Sequence, residues 1–371
     1  MKEINIAKTL ANKRRAKGIT QDELAEFIGV SKASVSKWET GQSYPDITFL
    51  PRLAAYFNIS IDELMDYSPK LTKDAIRKLY HRLAADFAAK PFDEVMSECR
   101  EIIKKYFACF PLLLQMATLF LNHHMLAGEQ GRREEILRET VRLCERIQSD
   151  SGDVWVAKDA AQLKAICLLT LGEAQTVLEL LGETIRADMP ERSFISQAYK
   201  MLGNVDKAKE VSQIDMCLNL MSFFSAGMGY VALCTDDFGR AEEALKRLMG
   251  VAEIYRMESL NPNVMALLYA LGAQVFLAGG SKEKSIEFLN RYVDVCVNGF
   301  FPFTLHGDSH FDKIDDFFSE LNLGSASPRS ESVIKQSMMR DILLNPSFSA
   351  LAEEPGYNLA VEKLRNFIGG S

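Results

Sequence analysis

The chain has 371 residues, 47% of them hydrophobic and 25% charged, and a formal net charge of −7. This length allows two or three domains with sizeable cores, and the charged fraction is that of an ordinary soluble globular protein. The acidity argues against a protein that coats nucleic acid over its whole surface, yet residues 1–45 carry +3 and the remainder −10. A local basic segment on an acidic chain is typical of a small DNA-reading module joined to another domain.

Neither a secretory leader nor a membrane segment is predicted. The first residues lack an apolar core, and the longest apolar run, 108–121, is interrupted by Pro111 and Gln115 and is too short to span a bilayer. The seven cysteines are scattered without a C-x-x-C pair. We therefore expect a cytoplasmic protein with reduced thiols in its core, without a metal and without a cofactor.

Residues 20–41 predict two short helices joined by a tight turn. Thr20 followed by Glu23 forms a capping box, and Gly29 is placed to end the first helix. Ser31 caps the second helix, whose inward residues are Val35 and Trp38. The opposite face of that helix is polar or small, which is the layout of a helix-turn-helix.

The flanking residues extend this pair to five helices. Residues 4–17 form a first helix, Pro45-Asp46 opens a fourth, and a capping box at Ser60 starts a fifth that ends near Met65. Taken together, IAKTLANKRRAKGITQDELAEFIGVSKASVSKWETGQSYPDITFLPRLAAYFNISIDELM resembles the lambda-repressor-like, XRE-type helix-turn-helix domain over its full length.

This resemblance assigns a set of DNA-contacting residues. They lie in and beside the helix pair and are Thr20, Gln21, Lys32, Ala33, Ser34, Ser36 and Lys37. The two lysines and the alanine fall where the family reads base edges, whereas the threonine, the glutamine and the first serine fall where it holds phosphates. Lysine can donate to guanine and alanine can touch a thymine methyl group, but the bases selected do not follow from the sequence.

The first helix carries a run of basic residues without an acid, which predicts a side that faces phosphates. The run consists of Lys8, Lys13, Arg14, Arg15 and Lys17. The resemblance also implies a structural ion pair between Arg14 and Glu39. A solvated lysine face on an ordinary helix is the plain alternative, and five correctly spaced helices argue against it.

From residue 73 onward the sequence predicts helices throughout. The expected segments are 73–89, 93–107, 111–127, 132–149, 153–171, 173–187, 191–202, 205–218, 220–235, 238–257, 263–278 and 281–298. A repeat with a spacing of about 33 residues aligns Tyr199, Gly203 and Ala208 with Gly229, Phe238 and Ala241, and its small residues suit close contact between two helices. This pattern resembles tetratricopeptide (TPR) repeats and implies an α-solenoid with a concave surface.

The concave surface is the predicted ligand site. In the repeat register it carries Gln162, Gln197, Lys200, Tyr230 and Gln274. Side-chain amides can bond the backbone of an extended peptide, so these positions suit a short peptide ligand. For any single residue, an ordinary solvated polar side chain explains the pattern equally well.

Residues 306–316, HGDSHFDKIDD, form the one cluster that suggests a metal site. As a strand, two histidines and two aspartates would share a face. As the start of a helix, Asp308 or Ser309 would be a cap and Phe311 and Ile314 would face inward. The helix interpretation requires fewer coincidences, and no nucleotide-binding or hydrolase motif occurs, so we do not expect an enzyme.

The sequence therefore predicts an all-α chain: a five-helix lambda-repressor-like domain at 1–66, a linker at 67–72 and a TPR-like solenoid at 73–371. This layout resembles the Rgg/PlcR-type peptide-sensing regulators. The resemblance implies a homodimer that binds double-stranded DNA and responds to a short peptide. A scaffold that docks a protein partner, or a sensor of a small molecule, remains open.

Overall fold

The computed structural model describes residues 5–67, 71–182, 184, 191–234, 236–343 and 345–369. Two compact units are present, one formed by Met1–Thr72 with Ile103–Leu113 and the other by Lys73–Ile102 with Leu114–Ser371. Residues 68–70 of the expected linker and 185–190, which include the end of an expected helix, lie outside the described residues.

The N-terminal helices follow the predicted caps. They are α1 (Ile6–Ala16), α2 (Gln21–Ile28), α3 (Lys32–Glu39), α4 (Leu50–Phe57) and α5 (Ile61–Met65), with a 3₁₀ turn at Ile47–Phe49 leading into α4. Thr20 and Glu23 form the complete capping box at the start of α2. Gly29 ends α2 with φ +82°, a left-handed conformation that costs glycine little because it has no Cβ. The predicted five-helix domain is confirmed.

Each of these five helices contributes to one small core. The buried side chains are Ile6, Leu10, Leu24, Ala25, Ile28, Val35, Trp38, Leu53, Ala54 and Leu64. Full burial of an aliphatic side chain contributes roughly 1.5–3 kcal/mol. Because Val35 and Trp38 are the buried residues of α3, their burial fixes which face of that helix points outward.

The second unit is also helical. Its helices are α6 (Lys73–Ala89), α7 (Phe92–Lys105), α8 (Phe110–His123), α9 (Gln130–Asp150), α10 (Val154–Thr170), α11 (Ala174–Leu181), α12 (Glu191–Met201), α13 (Val205–Leu233), α14 (Phe238–Ile254), α15 (Met257–Leu260), α16 (Pro262–Ala278), α17 (Lys282–Asn298), α18 (Asp315–Glu320), α19 (Glu331–Leu343) and α20 (Pro355–Gly369), of which α7 and α8 extend into the first unit. Short 3₁₀ turns occur at His124–Leu126 and Pro346–Leu351. Within the described residues, the extended pairing is one isolated bridge between Thr304 and Ala326, so the all-α prediction is confirmed.

Small residues lie where paired helices touch. A Cβ at Gly272 of α16 would come within 2.3 Å of the Phe288 ring of α17, so only glycine fits there without a shift. Ser285 donates a hydrogen bond of 2.8 Å to the carbonyl oxygen of Ala273, and Ser196 donates one of 2.9 Å to that of Ala208. Each pair is thus joined by a hydrogen bond from a serine hydroxyl to a backbone carbonyl, with the donor on the second helix of α16–α17 and on the first helix of α12–α13.

Helix α13 differs from the prediction. The two expected segments 205–218 and 220–235 form one helix of 29 residues. Asn219 does not break it, because its side chain donates to Asp215 one turn earlier and no glycine or proline stands at the junction. By length and composition alone α13 could cross a membrane, but one such helix is weak evidence. Residues Cys217, Leu220 and Phe224 of this helix pack in the core of the unit.

A long segment between α17 and α19 returns to the start of the same unit. We call residues 305–328 the strap; its ends are joined by a hydrogen bond of 2.8 Å from Leu305 N to Ser325 O. The strap contacts α6, whose Arg77 donates to the carbonyl oxygens of Ser319 and Leu321 at 2.8 and 2.7 Å. A simple solenoid has contacts between neighbouring repeats only, so this return over more than 240 residues was not expected.

Candidate nucleic-acid interface

The outward face of α3 is the candidate recognition surface. Lys32, Ala33 and Lys37 are exposed and Ser36 is half-buried, on the side of α3 away from its buried residues. The Ser31 side chain caps α3 by accepting from Ser34 N at 3.2 Å. The predicted face therefore exists as a surface of short or flexible side chains, which suits approach to a DNA groove.

The two lysines of α3 differ in their surroundings. Lys32 pairs with Asp22 of α2 at 2.7 Å, and both side chains are more than half exposed. Such a surface pair contributes about 0–1 kcal/mol, so a phosphate can displace it. Lys37 has no hydrogen bond or ion pair from its ammonium group among the described residues and is the more available donor.

Glu39 at the end of α3 is the centre of a hydrogen-bond network. Its carboxylate accepts from Arg14 at 2.6 and 2.9 Å and from Gln21 at 2.9 Å. Burial alone raises the pKa of Glu39, but the hydrogen bonds from Arg14 and Gln21 outweigh burial, so the pKa lies below its ordinary value. A bidentate arginine–carboxylate pair fixes orientation as well as charge. The network thus locks α1, α2 and α3 together, and the ion pair implied by the resemblance is present.

Gln21 is therefore engaged within the protein. One of its side-chain N–H groups is used by Glu39. Its backbone N–H lies in the first turn of α2, where helix amides have no intrahelical partner. Together with Thr20 just before it, Gln21 can offer a phosphate this backbone donor rather than a free side chain.

Three of the five basic residues of the run at 8–17 contact other helices of the domain, and a side that faces phosphates stays a prediction. Lys13 pairs with Glu63 at 2.6 Å, and Lys17 donates to Tyr56 O at 2.6 Å with its ammonium 3.9 Å from the Tyr56 ring centroid. Arg14 is held by Glu39. These partners come from α3, α4 and α5, so spacing within α1 could not reveal them.

Two large apolar side chains after α3 are exposed, although the helical spacing of Ile47 with Leu50 and Leu53 predicts that Ile47 faces inward. Tyr44 is 57% exposed and Ile47 is 78% exposed, both in the polar stretch between α3 and α4. Large apolar residues between a capped helix end and the next N-cap are the signal that could have identified them. Such groups can contact deoxyribose or a thymine methyl group.

The predicted ligand residues lie on four different helices. Gln162 is on α10, Gln197 and Lys200 are on α12, Tyr230 is on α13 and Gln274 is on α16. The first four are exposed and Gln274 is half-buried. Tyr230 was expected on a separate helix at 220–235 but lies on the long α13. A common binding surface for the five residues stays a prediction.

Tyr230 lines a groove of about 530 Å³ between α13 and α14. Phe223 and Gly227 continue its wall along α13, and Arg240 and Arg247 approach from α14. Asp237 and Glu243 also line the groove and pair with Arg240 and Arg247 at 3.4 and 2.9 Å. The groove therefore combines exposed aromatic surface with ion-paired charges, on which a peptide with apolar and polar groups can lie.

The aspartates of residues 306–316 are used to shape the strap. Asp308 accepts from the backbone N–H groups of His310 and Phe311 at 2.8 and 2.9 Å, and Asp315 accepts from Gly307 N at 2.6 Å. The helix begins at Asp315 and not at 308 or 309, because the tight turn capped by Asp308 comes first. Over the described part of the chain, no group of three or more His, Cys, Asp or Glu side chains could hold a metal ion.

The seven cysteines are buried and free, as expected for core thiols. Burial raises the pKa of Cys99, Cys144 and Cys167 to about 12 in each case. A thiol with such a pKa stays protonated and unreactive near neutral pH.

Residues 10–64 match the helix-turn-helix family. The HTH-type transcriptional activator BcrR of Enterococcus faecalis is 34% identical over 74 residues, which are 18% of this chain and 36% of BcrR. The cryptic phage CTXphi transcriptional repressor RstR of Vibrio cholerae is 41% identical over 61 residues, 16% of this chain and 54% of RstR. The chain thus spans about a third to a half of these relatives, which are regulators of transcription, one an activator and one a repressor. Its N-terminal region is a helix-turn-helix domain of the XRE type.

Two solved structures are similar over most of the chain at low identity. Apo ComR from S. thermophilus is 15% identical with a TM-score of 0.24, covering 78% of this chain and 92% of ComR. PlcR of Bacillus thuringiensis, solved with the peptide PapR7 and DNA, is 13% identical with a TM-score of 0.21, covering 98% of this chain and 94% of PlcR. These TM-scores are too low to compare the placement of individual helices.

Proposed function

We propose that this chain is a sequence-specific DNA-binding regulator of transcription that acts as a homodimer and is controlled by a ligand of its helical-repeat domain. In this proposal residues 1–66 bind DNA, 67–72 are a linker and 73–371 form the sensor and dimerisation domain. The observation that supports it best is the outward face of α3, whose orientation is fixed by buried Val35 and Trp38 and by the Arg14–Glu39 pair.

On DNA, α3 would lie in the major groove. Lys32 and Lys37 would donate to guanine edges or phosphates, and Ala33 would contact a thymine methyl group. Thr20, Gln21, Ser34 and Ser36 would position the domain on the backbone, the first two through the N-terminus of α2. Two such domains in a homodimer would read half-sites about 34–36 Å apart.

The ligand we propose is a short peptide. Exposed amides on α10 and α12 and the Tyr230 groove offer both backbone-type hydrogen bonds and apolar surface. Binding would bias the relative placement of the two DNA-binding domains by differential affinity for their arrangements. A protein partner or a small molecule on the same surface are the rival occupants.

The DNA proposal is tested by fluorescence anisotropy on an operator selected from random duplexes. Lys37→Ala should weaken binding by roughly 10- to 100-fold if the lysine reads a base, or lower the salt slope by about 1 per contact if it holds a phosphate. Lys246→Ala, at an exposed lysine of α14, is the matched control. Full affinity and an unchanged salt slope in a Lys32→Ala, Lys37→Ala double variant would refute the orientation of α3.

The peptide proposal is tested separately. Peptides of about seven residues selected by display on the full chain should bind saturably in isothermal titration, with affinity lost in Gln197→Ala and in Tyr230→Ala. Lys104→Ala, an exposed lysine of α7, is the control. Selected peptides that bind both variants as tightly as the wild type would place the ligand elsewhere.

A further inference from the structure

The strap is anchored at its centre in the core of the second unit. Phe311, Ile314 and Phe318 are buried there, and the Phe311 ring stacks with Tyr255 at 6.1 Å between centroids. Helix α18 forms the second half of this anchored stretch. Because buried side chains lie both before α18 and within it, residues 311–318 move as one rigid segment and not as a flexible loop.

One end of this piece is held by α13. The Gln213 side chain accepts from Lys313 N at 2.9 Å and donates to Asp312 Oδ1 at 2.7 Å. The Lys313 ammonium adds an ion pair with Asp206 at 3.5 Å. A single amide side chain thus binds both the backbone and a carboxylate of the strap, which specifies their relative position.

The other end is held by α6. Arg77 donates to two carbonyl oxygens at the C-terminal end of α18, where helix carbonyls lack intrahelical partners and a cation is favoured. Lys73 pairs with Glu320 at 3.0 Å. Tyr80, which is fully buried, donates to Pro328 O at 3.1 Å and so fixes the end of the strap as well.

Helix α13 is the element of this assembly on which an occupant would act. In its most apolar stretch only 17% of the residues are buried. Met216, Phe223 and Tyr230 are 41–48% exposed along one side of the helix. A molecule that bound two arrangements of α13 with different affinity would shift the equilibrium between them and, through Gln213, would affect the strap.

We propose that the strap transmits the state of α13 to α6, the helix that follows the linker in the chain. Loss of the Gln213 contacts loosens one end of the anchored stretch, and because that stretch moves as one piece, the contacts of α18 with Arg77 and Lys73 weaken with it. An effect of this coupling on DNA binding rests on the proposed function. The coupling of α13 to α6 through the strap is a property of the helical domain alone.

Hydrogen exchange of the full chain, read by mass spectrometry without DNA or peptide, tests the link. In Gln213→Ala, peptides covering 315–328 and 73–81 should exchange several-fold faster than in the wild type, although position 213 lies in neither. Arg77→Lys keeps the charge and loses the forked donor, so it should loosen 315–323 and also 205–216. Asn219→Ala is the control on the same helix, because its side chain bonds to Asp215 within α13.

Two outcomes would overturn the proposal. The first is faster exchange in 306–314 alone, with 73–81 as in the wild type. The second is a uniform acceleration that includes α9 and α10, which indicates a general loss of stability. Gln213→Glu keeps the acceptor for Lys313 N but sets a second carboxylate against Asp312, so it should accelerate exchange in 73–81 at least as much as Gln213→Ala. Wild-type exchange in 73–81 would oppose the link. Because the readout involves neither DNA nor a ligand, its failure is distinct from failure of the proposed function.

Discussion

His123 should make the stability of the helical domain depend on pH. Its ring is fully buried at the end of α8 and stacks on Phe87 with 4.7 Å between centroids. Nδ1 lies 2.8 Å from the carbonyl oxygen of Leu119, while Nε2 is buried and has no hydrogen-bond partner among the described residues. Burial lowers the pKa of His123 from 6.5 to about 4, against the smaller opposite effect of the Leu119 contact.

The sign and size follow from proton binding in the two states. In the unfolded chain His123 takes up a proton as the pH falls through 6.5, whereas in the folded protein it does so only near 4. Above pH 6.5 His123 is neutral in both states, so it adds no pH dependence. Between pH 6.5 and 4 the free energy of unfolding falls by about 1.4 kcal/mol for each pH unit. The loss of unfolding free energy is about 2 kcal/mol between pH 7.5 and 5, and about 3 kcal/mol once the pH is below 4.

The assay is urea unfolding followed by far-ultraviolet circular dichroism from pH 7.5 to 4.5. His123→Phe keeps the ring stacked on Phe87 and cannot take up a proton, so the wild type should lose about 2 kcal/mol more than the variant between pH 7.5 and 5. Carboxylates titrate equally in both proteins and cancel in the difference. His124→Gln, at the half-buried neighbour, is the matched control. Parallel pH curves for the wild type and His123→Phe would refute the reasoning.

Two further substitutions test the packing of each unit. Arg14→Lys keeps the charge beside Glu39 but loses the forked donor. The amides of α3 should therefore exchange roughly 5- to 30-fold faster, which corresponds to a loss of about 1–2 kcal/mol in the free energy of local opening. Unchanged protection of α3 would show that the network does not hold it. Gly272→Ala should cost about 1–3 kcal/mol in urea unfolding because its Cβ would lie 2.3 Å from the Phe288 ring. Gly250→Ala, in α14 with no atom within 4 Å of the added Cβ, should stabilise by about 0.5–1 kcal/mol; equal effects of the two changes would contradict the packing described.

The DNA-binding domain could be predicted from sequence because its determinants are local. Thr20 with Glu23, Gly29 and Ser31 mark helix ends within a few residues of themselves, and the apolar spacing of each helix gives its inward face. The ion pair of Arg14 was available only through the family resemblance, since its partner is 25 residues away.

The remaining features depend on contacts that no local pattern contains. Gln213 is an unremarkable polar residue in the sequence and acquires its role from a strap about 100 residues later. The fusion of two predicted helices into α13 was missed because Asn219 is usually found at helix ends, yet here its side chain bonds within the helix. The fold class was thus accessible from the sequence, whereas the return of the strap to α6 was not.

The internal pairing of the basic residues of α1 limits how many salt ions the domain can release on binding DNA. Among the described residues of α1 to α5, Lys8, Arg15 and Lys37 keep side chains without a hydrogen bond or close ion pair, while Lys13 and Lys32 are held only by exposed pairs with Glu63 and Asp22. Each neutralised phosphate contributes about 0.9 to the slope of log affinity against log salt. One domain with about three to five such cations would therefore bind non-specific DNA weakly at physiological salt. It would leave wrong sites quickly, and stable occupancy would require two domains placed together on a matching pair of half-sites.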